Sequence, residues 1–340
     1  MERLKALYTL IKPSSSMCNM RCRYCFYEDE SENRSQKNYG FMTRETASRL
    51  ISSSVDATVE GSTISFGFQG GEPTLLGLDF FRFFIEEEKK YPGRVFQHSI
   101  QTNGYLIDEE WALFLKENNF LVGLSVDGYE ALHDEYRVAP KGAPTFSRIA
   151  ESARLLMEHD VPVNALCVVT KECAAKPHRV YHRLKAMGFR YLQFIPCLDP
   201  IGKERGQEPY SLLPEAFGSF LAATFDDWYR DWERGDYVSI RQFEDYVHLL
   251  LGEMPSSCTA FGRCGSYVVV EGDGSVYPCD FYVLDKYYEG NLNDTPILEL
   301  ATSQKARAFI TEDVKRPDEC GVCKRDRPAA RKGEKQKWNS

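Results

Sequence analysis

Six short apolar runs, spaced along residues 7–195, constrain the fold of this chain more than any other feature. They read "LYTLI" (7–11), "TISFGF" (63–68), "VFQHSIQT" (95–102), "FLVGLSV" (120–126), "VPVNALCVV" (161–169) and "YLQFI" (191–195). Their enrichment in Val, Ile, Phe and Tyr predicts strands. Between them lie stretches with apolar spacing near the helical period, at 43–56, 79–90, 109–117, 145–158 and 176–187. In the stretch 145–158, Ile149, Ala153 and Leu156 share one face and charges take the other. Strand–helix alternation of this kind predicts a parallel sheet covered by helices. Six units are too few for a closed eight-fold barrel, so the expectation is an α/β fold of the partial (β/α)6 TIM type. Such sheets carry their chemistry at the carboxyl ends of the strands.

After residue 200 the texture changes. "LDPIGKERGQEPYS" is polar and turn-rich and reads as a linker or lid; helical patterns follow at 213–233 and 240–251. In "SYVVVEGDGSVYPCDFYV", a Gly-Asp-Gly between two β-rich runs signals a hairpin. The expected organisation is a barrel over 1–235, a smaller cysteine-bearing α+β domain over 236–323, and a basic, disordered tail over 324–340 with seven Lys or Arg against two acids. A net charge of -8 gives no reason to expect nucleic-acid binding. No apolar run reaches the ~18 residues of a membrane span. The charged N-terminus lacks signal-peptide features, so a cytoplasmic protein is expected.

Eleven cysteines are many for a reducing compartment, where clustered thiols are metal ligands or catalytic groups rather than disulfides. Cys18, Cys22 and Cys25 are spaced C-x3-C-x2-C in the loop after the first strand. A [4Fe–4S] cluster takes one thiolate per iron, so three leave one iron open to a substrate or cofactor. A structural zinc site borrowing a fourth ligand is the alternative, although this spacing is unusual for zinc. "QGGEP", Gln69 to Pro73, ends the second strand at the same expected rim. Its glycines permit close backbone approach, and it also fits an ordinary turn.

The three-cysteine loop followed by Phe26 and Tyr27 resembles the signature of radical S-adenosylmethionine (SAM) enzymes. The resemblance implies that the open iron chelates SAM and that reductive cleavage yields a 5′-deoxyadenosyl radical. It implies that Gly70, Gly71 and Glu72 bind the methionine amino group, that Ser125 in "GLSVDG" contacts the cofactor, and that Leu198 packs on its adenine. For Ser125 and Asp127, turn capping is the competing reading. Cys258, Cys264 and Cys279, with Cys320 and Cys323, resemble the SPASM extension, which in full members holds two auxiliary [4Fe–4S] clusters; free buried cysteines are the alternative.

A narrower resemblance runs from residue 7 to about 323. "LIKPSSSMCNMRCRYCFY", "FGFQGGEPTL", "QTNGYLIDE", "FLVGLSVDG", "LQFIPCLDP", "VSIR" and "DGSVYPCDFYVLDK" are similar to the anaerobic sulfatase-maturating enzymes. These oxidise a cysteine, in some cases a serine, of a sulfatase to Cα-formylglycine. The radical takes a hydrogen from Cβ, a base takes a further proton, and an electron leaves. The implied base is Asp280, with Tyr27 and Gln69 near the bound peptide. The implied partners are a sulfatase Cys/Ser-x-Pro-x-Arg segment and reduced flavodoxin or ferredoxin as electron donor. Other peptide maturases of this architecture, forming thioethers or epimers, and a non-catalytic metal-binding remnant are the competing readings.

The chain departs from the family pattern after Cys323. Ala329 and Gly333 stand about where further cysteines are expected. A truncated or frame-shifted gene, or a natural short form, would account for this. The expectation is an intact SAM cluster, a labile first auxiliary cluster and a second that is absent or replaced by another metal. Of the remaining cysteines, Cys167 is expected in the core, Cys173 in an exposed loop and Cys197 at the rim.

Overall fold

The computed structural model describes residues 2–261, 264 and 267–312. Cys320, Cys323 and the tail lie outside the described residues. Six parallel strands form where the apolar runs predict them: β1 (Leu4–Lys12), β2 (Thr58–Phe68), β3 (Val95–Thr102), β4 (Leu121–Ser125), β5 (Val163–Val169) and β6 (Tyr191–Pro196). Each pairs with its successor in sequence, from β1 beside β2 to β5 beside β6. β7 (Ser239–Ile240) extends one edge. β8 (Val268–Glu271) and β9 (Ser275–Tyr277) form the hairpin read from Gly-Asp-Gly, and β10 (Gly290–Asn291) follows. β8 pairs in parallel with β1, with Lys12 opposite Glu271. The C-terminal hairpin therefore continues the barrel sheet, in the order β10-β9-β8-β1-β2-β3-β4-β5-β6-β7.

The helices bury the faces their spacing marks. Arg44–Ala57 turns in Ala47, Leu50 and Ile51, and its N-cap Thr43 side chain accepts from the Thr46 amide. Leu78–Glu88 adds Phe80, Phe81 and Phe84, and the last of these packs edge-on against Phe66 and Phe68 of β2. Phe146–Glu158 buries Ile149, Ala153 and Leu156, as its spacing predicts. Each Leu, Ile or Phe among them, taken out of water, contributes about 1.5–3 kcal/mol.

One expectation needs correction. Cys173 is fully buried, because the Thr170-capped helical turn Lys171–Ala174 that carries it packs against β5 and the helix Pro214–Glu233. Pro214–Glu233 buries Phe220 and Trp228 but leaves Phe225 and Trp232 exposed, at 41% and 53%; its aromatic residues are spread around more than one face. A helix at Phe26–Glu32 has no apolar period and was not foreseen; its "FYEDESE" hides Glu30 and Ser31.

His133, on helix Glu130–Tyr136, is wholly buried. Its Nδ1 accepts from the Asp127 amide at 3.2 Å, and its Nε2 pairs with Thr145 Oγ1 at 3.1 Å, whose hydroxyl donates to the Arg137 carbonyl. The imidazole is thus neutral, and burial pulls its pKa from 6.5 down to about 4. In the unfolded chain it takes a proton below the ordinary value, so stability falls as pH drops from 6.5 toward 4. Between pH 7 and 4.5 this one group should cost roughly 2–3 kcal/mol. His133→Asn should flatten that part of the acid limb, measured by denaturant unfolding at the two pH values. An unchanged limb would contradict the assignment.

Candidate active site

The carboxyl ends of the parallel strands gather the predicted residues at one rim. β1 leads into the loop 13–25, which carries Cys18, Cys22 and Cys25, all three free thiols. β2 leads into Gln69, Gly70, Gly71 and Glu72, and this segment lies directly on the cysteine loop. The Gln69 amide donates to the Ile11 carbonyl at 2.9 Å, Gly71 to Ser15 at 2.7 Å and Glu72 to Met17 at 2.8 Å. Glycine is required here for contact. A Cβ on Gly71 would fall 2.0 Å from the Met17 carbonyl oxygen, and Gly70 adopts φ +120°.

The Glu72 carboxylate faces inward and is 1% exposed. Oε1 accepts from the Thr74 amide at 3.1 Å and from the hydroxyls of Thr74 and Thr102 at 2.7 Å; Oε2 accepts from the Asn103 amide at 2.7 Å. Burial raises its pKa against these donors. Glu72 thus braces the end of β2 to the end of β3. Asn103 continues the brace to the thiols: its Nδ2 donates to Asn19 Oδ1 at 2.8 Å and reaches Cys18 Sγ at 3.6 Å.

Burial pushes the Cys18 thiol up to about 11 and the Cys22 thiol up to about 12, and raises that of Cys25. Arg137 opposes this at Cys22 and Cys25. Its guanidinium is buried and fixed by Asp127, Nε to Oδ2 at 3.0 Å. Asp127 also accepts from the Tyr24 hydroxyl and, through Oδ1, from the Val168 amide at 2.9 Å. This anchors the cysteine loop to the ends of β4 and β5. These half-buried thiols must release protons to bind iron.

Several features fit a bound cluster. Asn19 Nδ2 is buried with no hydrogen-bond partner among the described residues, and an acceptor brought by a bound group would satisfy it. The donor set is three thiols on one loop. Among the described residues no three His, Cys, Asp or Glu side chains converge as they would on one metal ion, and a cube with one thiolate per iron does not require it. Ser125, nearly buried, ends β4, and Leu198, half-buried, follows β6 beside the buried Cys197.

A second cluster of side chains stands at the same rim. Asp280, 8% exposed, accepts at Oδ2 from Gln69 Nε2 at 2.8 Å. Gln69 Nε2 also meets the Tyr27 hydroxyl, so the three residues expected near the substrate form one chain of hydrogen bonds. The Tyr267 hydroxyl donates to Asp280 Oδ1 and lies 3.7 Å from Cys279 Sγ. Burial pushes the Cys279 thiol up to about 12, with the charges of Asp280 and Cys258 adding to it. Cys258 is exposed at the start of helix Cys258–Phe261, and Cys264 is half-buried. Tyr267, Asn103 and Arg137 were missed in the sequence. Tyr267 and Asn103 both lie inside or beside motifs quoted above, which was the available signal.

A partial barrel with three thiols and a glycine-lined strand end at its carboxyl rim defines an iron–sulfur enzyme of the radical SAM class. The Radical SAM superfamily profile matches residues 13–183, and the SPASM iron-sulfur cluster-binding profile matches residues 258–324. The chain is 45% identical over 323 residues to a cysteine-type anaerobic sulfatase-maturating enzyme of Clostridium novyi, covering 94% of this chain and 86% of the relative. It is 32% identical to a serine-type anaerobic sulfatase-maturating enzyme of Bacteroides thetaiotaomicron, covering 94% and 80%. The solved structure of native anSMEcpe with bound AdoMet and Cp18Cys peptide superposes with a TM-score of 0.87 at 45% identity, covering 94% of this chain and 86% of that one. The chain belongs to the anaerobic sulfatase-maturating enzyme family, whose cofactors are SAM and [4Fe–4S] clusters. Among the described residues no helix is long and apolar enough to cross a membrane.

Proposed function

We propose that this enzyme oxidises the active-site cysteine of a sulfatase to Cα-formylglycine. The observation that carries the reading is the hydrogen-bonded chain Tyr27–Gln69–Asp280 set beside the three-thiol loop. When bound, the cluster and SAM supply a 5′-deoxyadenosyl radical that takes one hydrogen from the substrate Cβ. Cys18, Cys22 and Cys25 hold the cluster. Gly70, Gly71 and Glu72 would hold the cofactor's ammonium, Arg137 would face its carboxylate, Ser125 would contact it and Leu198 would cover the adenine. Tyr27 and Gln69 hold the substrate side chain, and Asp280 takes a further proton through a carboxylate oxygen; the remaining electron would leave through an auxiliary cluster, and water would hydrolyse the resulting thioaldehyde to the aldehyde with release of hydrogen sulfide.

Cys258, Cys264 and Cys279, with Cys320 and Cys323 beyond the described residues, serve auxiliary clusters. The radical portion occupies 1–235 and the auxiliary portion 236–323. The partners are a Cys-x-Pro-x-Arg segment of the sulfatase and reduced flavodoxin or ferredoxin, in the cytoplasm. The higher identity to cysteine-type than to serine-type relatives, 45% against 32%, supports cysteine as the preferred target.

The test is anaerobic reconstitution with iron and sulfide, reduction, and incubation with SAM and a Cys-x-Pro-x-Arg peptide. Mass spectrometry should show CH2SH replaced by CHO. 5′-Deoxyadenosine formed with the peptide left unchanged would overturn the reading in favour of another peptide maturation.

A further inference from the structure

Lys12 is a lysine with 1% exposure at the end of β1, paired with Glu30, itself 2% exposed. Buried charges of this kind persist only where they are paired and hydrogen-bonded. Lys12 Nζ donates to Glu30 Oε2 at 2.9 Å, reaches the Asp280 carbonyl at 3.4 Å and stands 4.1 Å over the Tyr27 ring. Glu30 Oε1 accepts from the Val283 amide at 2.6 Å. Tyr27 and Glu30 lie three residues apart on helix Phe26–Glu32 and so share a face. One ion pair therefore ties the helix that opens after Cys25 to the segment that follows Cys279.

Those two segments carry the groups assigned to one substrate side chain: Tyr27, which holds it, on one, and Asp280, the base, on the other. A second buried pair, Arg34 with Glu271 at 2.9 Å, lies alongside, and Arg34 Nη1 reaches the Val283 carbonyl at 3.5 Å. Val283 is thus held at its amide and its carbonyl by two opposite charges. A pair serving stability alone can be exchanged for neutral side chains of similar volume with little loss. Apolar side chains cannot, however, donate to the Asp280 carbonyl or offer a cation to the Tyr27 ring face.

We propose that the Lys12–Glu30 pair is a positioning device that sets Asp280 and Tyr27 in register across the joint between the cysteine loop and the auxiliary-cluster segment. This rests on the reading of Asp280 as the base. Without the pair, SAM cleavage at the cysteine loop should proceed, while proton removal by Asp280 falls behind. Loss of register by about 1 Å is enough for an effect of tenfold or more.

The test uses Lys12→Met/Glu30→Gln, in which the introduced side-chain amide keeps an acceptor for the Val283 N–H. The cluster-loaded double variant should retain wild-type iron and cleave SAM within about twofold of wild type without peptide. Formylglycine formed per 5′-deoxyadenosine should fall about tenfold or more. Amide exchange over 280–284 should rise in the same protein while that of the cysteine loop stays unchanged. Where the double variant fails to fold, Glu30→Gln, nearly the same shape, is read by both measurements. An unchanged product ratio or unchanged exchange over 280–284 in the variant that folds overturns the proposal. Asp280→Asn run in parallel separates the two claims. If it abolishes product while the pair variant keeps the wild-type ratio, the base stands and the positioning role fails. If Asp280→Asn retains full product formation, the reading beneath the proposal fails.

Discussion

Asp280→Asn is expected to lower formylglycine formation by about 10²–10⁴-fold, the range for loss of a positioned general base, while 5′-deoxyadenosine is still released. The carboxylate is 8% exposed and held at both oxygens, by Gln69 and by Tyr267. Asparagine matches its shape but cannot take a proton at neutral pH. The loop carrying Cys18, Cys22 and Cys25 does not depend on Asp280: it is held by Gly71, Glu72, Asn103 and the Asp127–Arg137 pair. Cofactor cleavage and product formation should therefore separate. Both are quantified by chromatography and mass spectrometry in one reaction. Product at the wild-type rate would remove Asp280 from the mechanism.

Cys22→Ala should abolish 5′-deoxyadenosine formation altogether and lower bound iron by about four per chain, since one thiolate serves one iron of the cube. Cys22 sits where Arg137 acts on the thiol, and no neighbouring cysteine can replace it without rebuilding the loop. Cys167→Ala is the matched control. It too removes one thiol, but from a strand that packs in the core, and should cost only about 1 kcal/mol of stability with iron and cleavage retained. Iron analysis beside the cleavage assay decides the matter. Full iron and cleavage in Cys22→Ala would refute the assignment of the loop.

The contrast between what the sequence made legible and what it did not follows the range of the interactions involved. β3 forms at 95–102, matching its apolar run to the residue, and Phe146–Glu158 buries the three residues its spacing marks. Both are local patterns of period two or 3.6. Phe26–Glu32 escaped notice because it is stabilised by tertiary partners of its acids, among them Lys12 with Glu30 and the Ile201 amide with Asp29. Cys173 was misplaced because a short turn between elements gives no period from which to read burial. The Gly-Gly-Glu motif was recognisable, yet the direction of the Glu72 side chain depends on Thr102 and Asn103 of the neighbouring strand.

The sequence by itself determined the strand–helix alternation, the rim at which the strands end, and three thiols within a single loop. These are properties of backbone geometry over a few residues. Only the tertiary structure decided that Asp280 meets Gln69 across 211 residues and that Lys12 reaches its carbonyl across 268. Those meetings depend on β8 joining β1 in a register that sets Lys12 opposite Glu271. That register is fixed by burial and by paired charges acting together, which no stretch of the chain carries on its own.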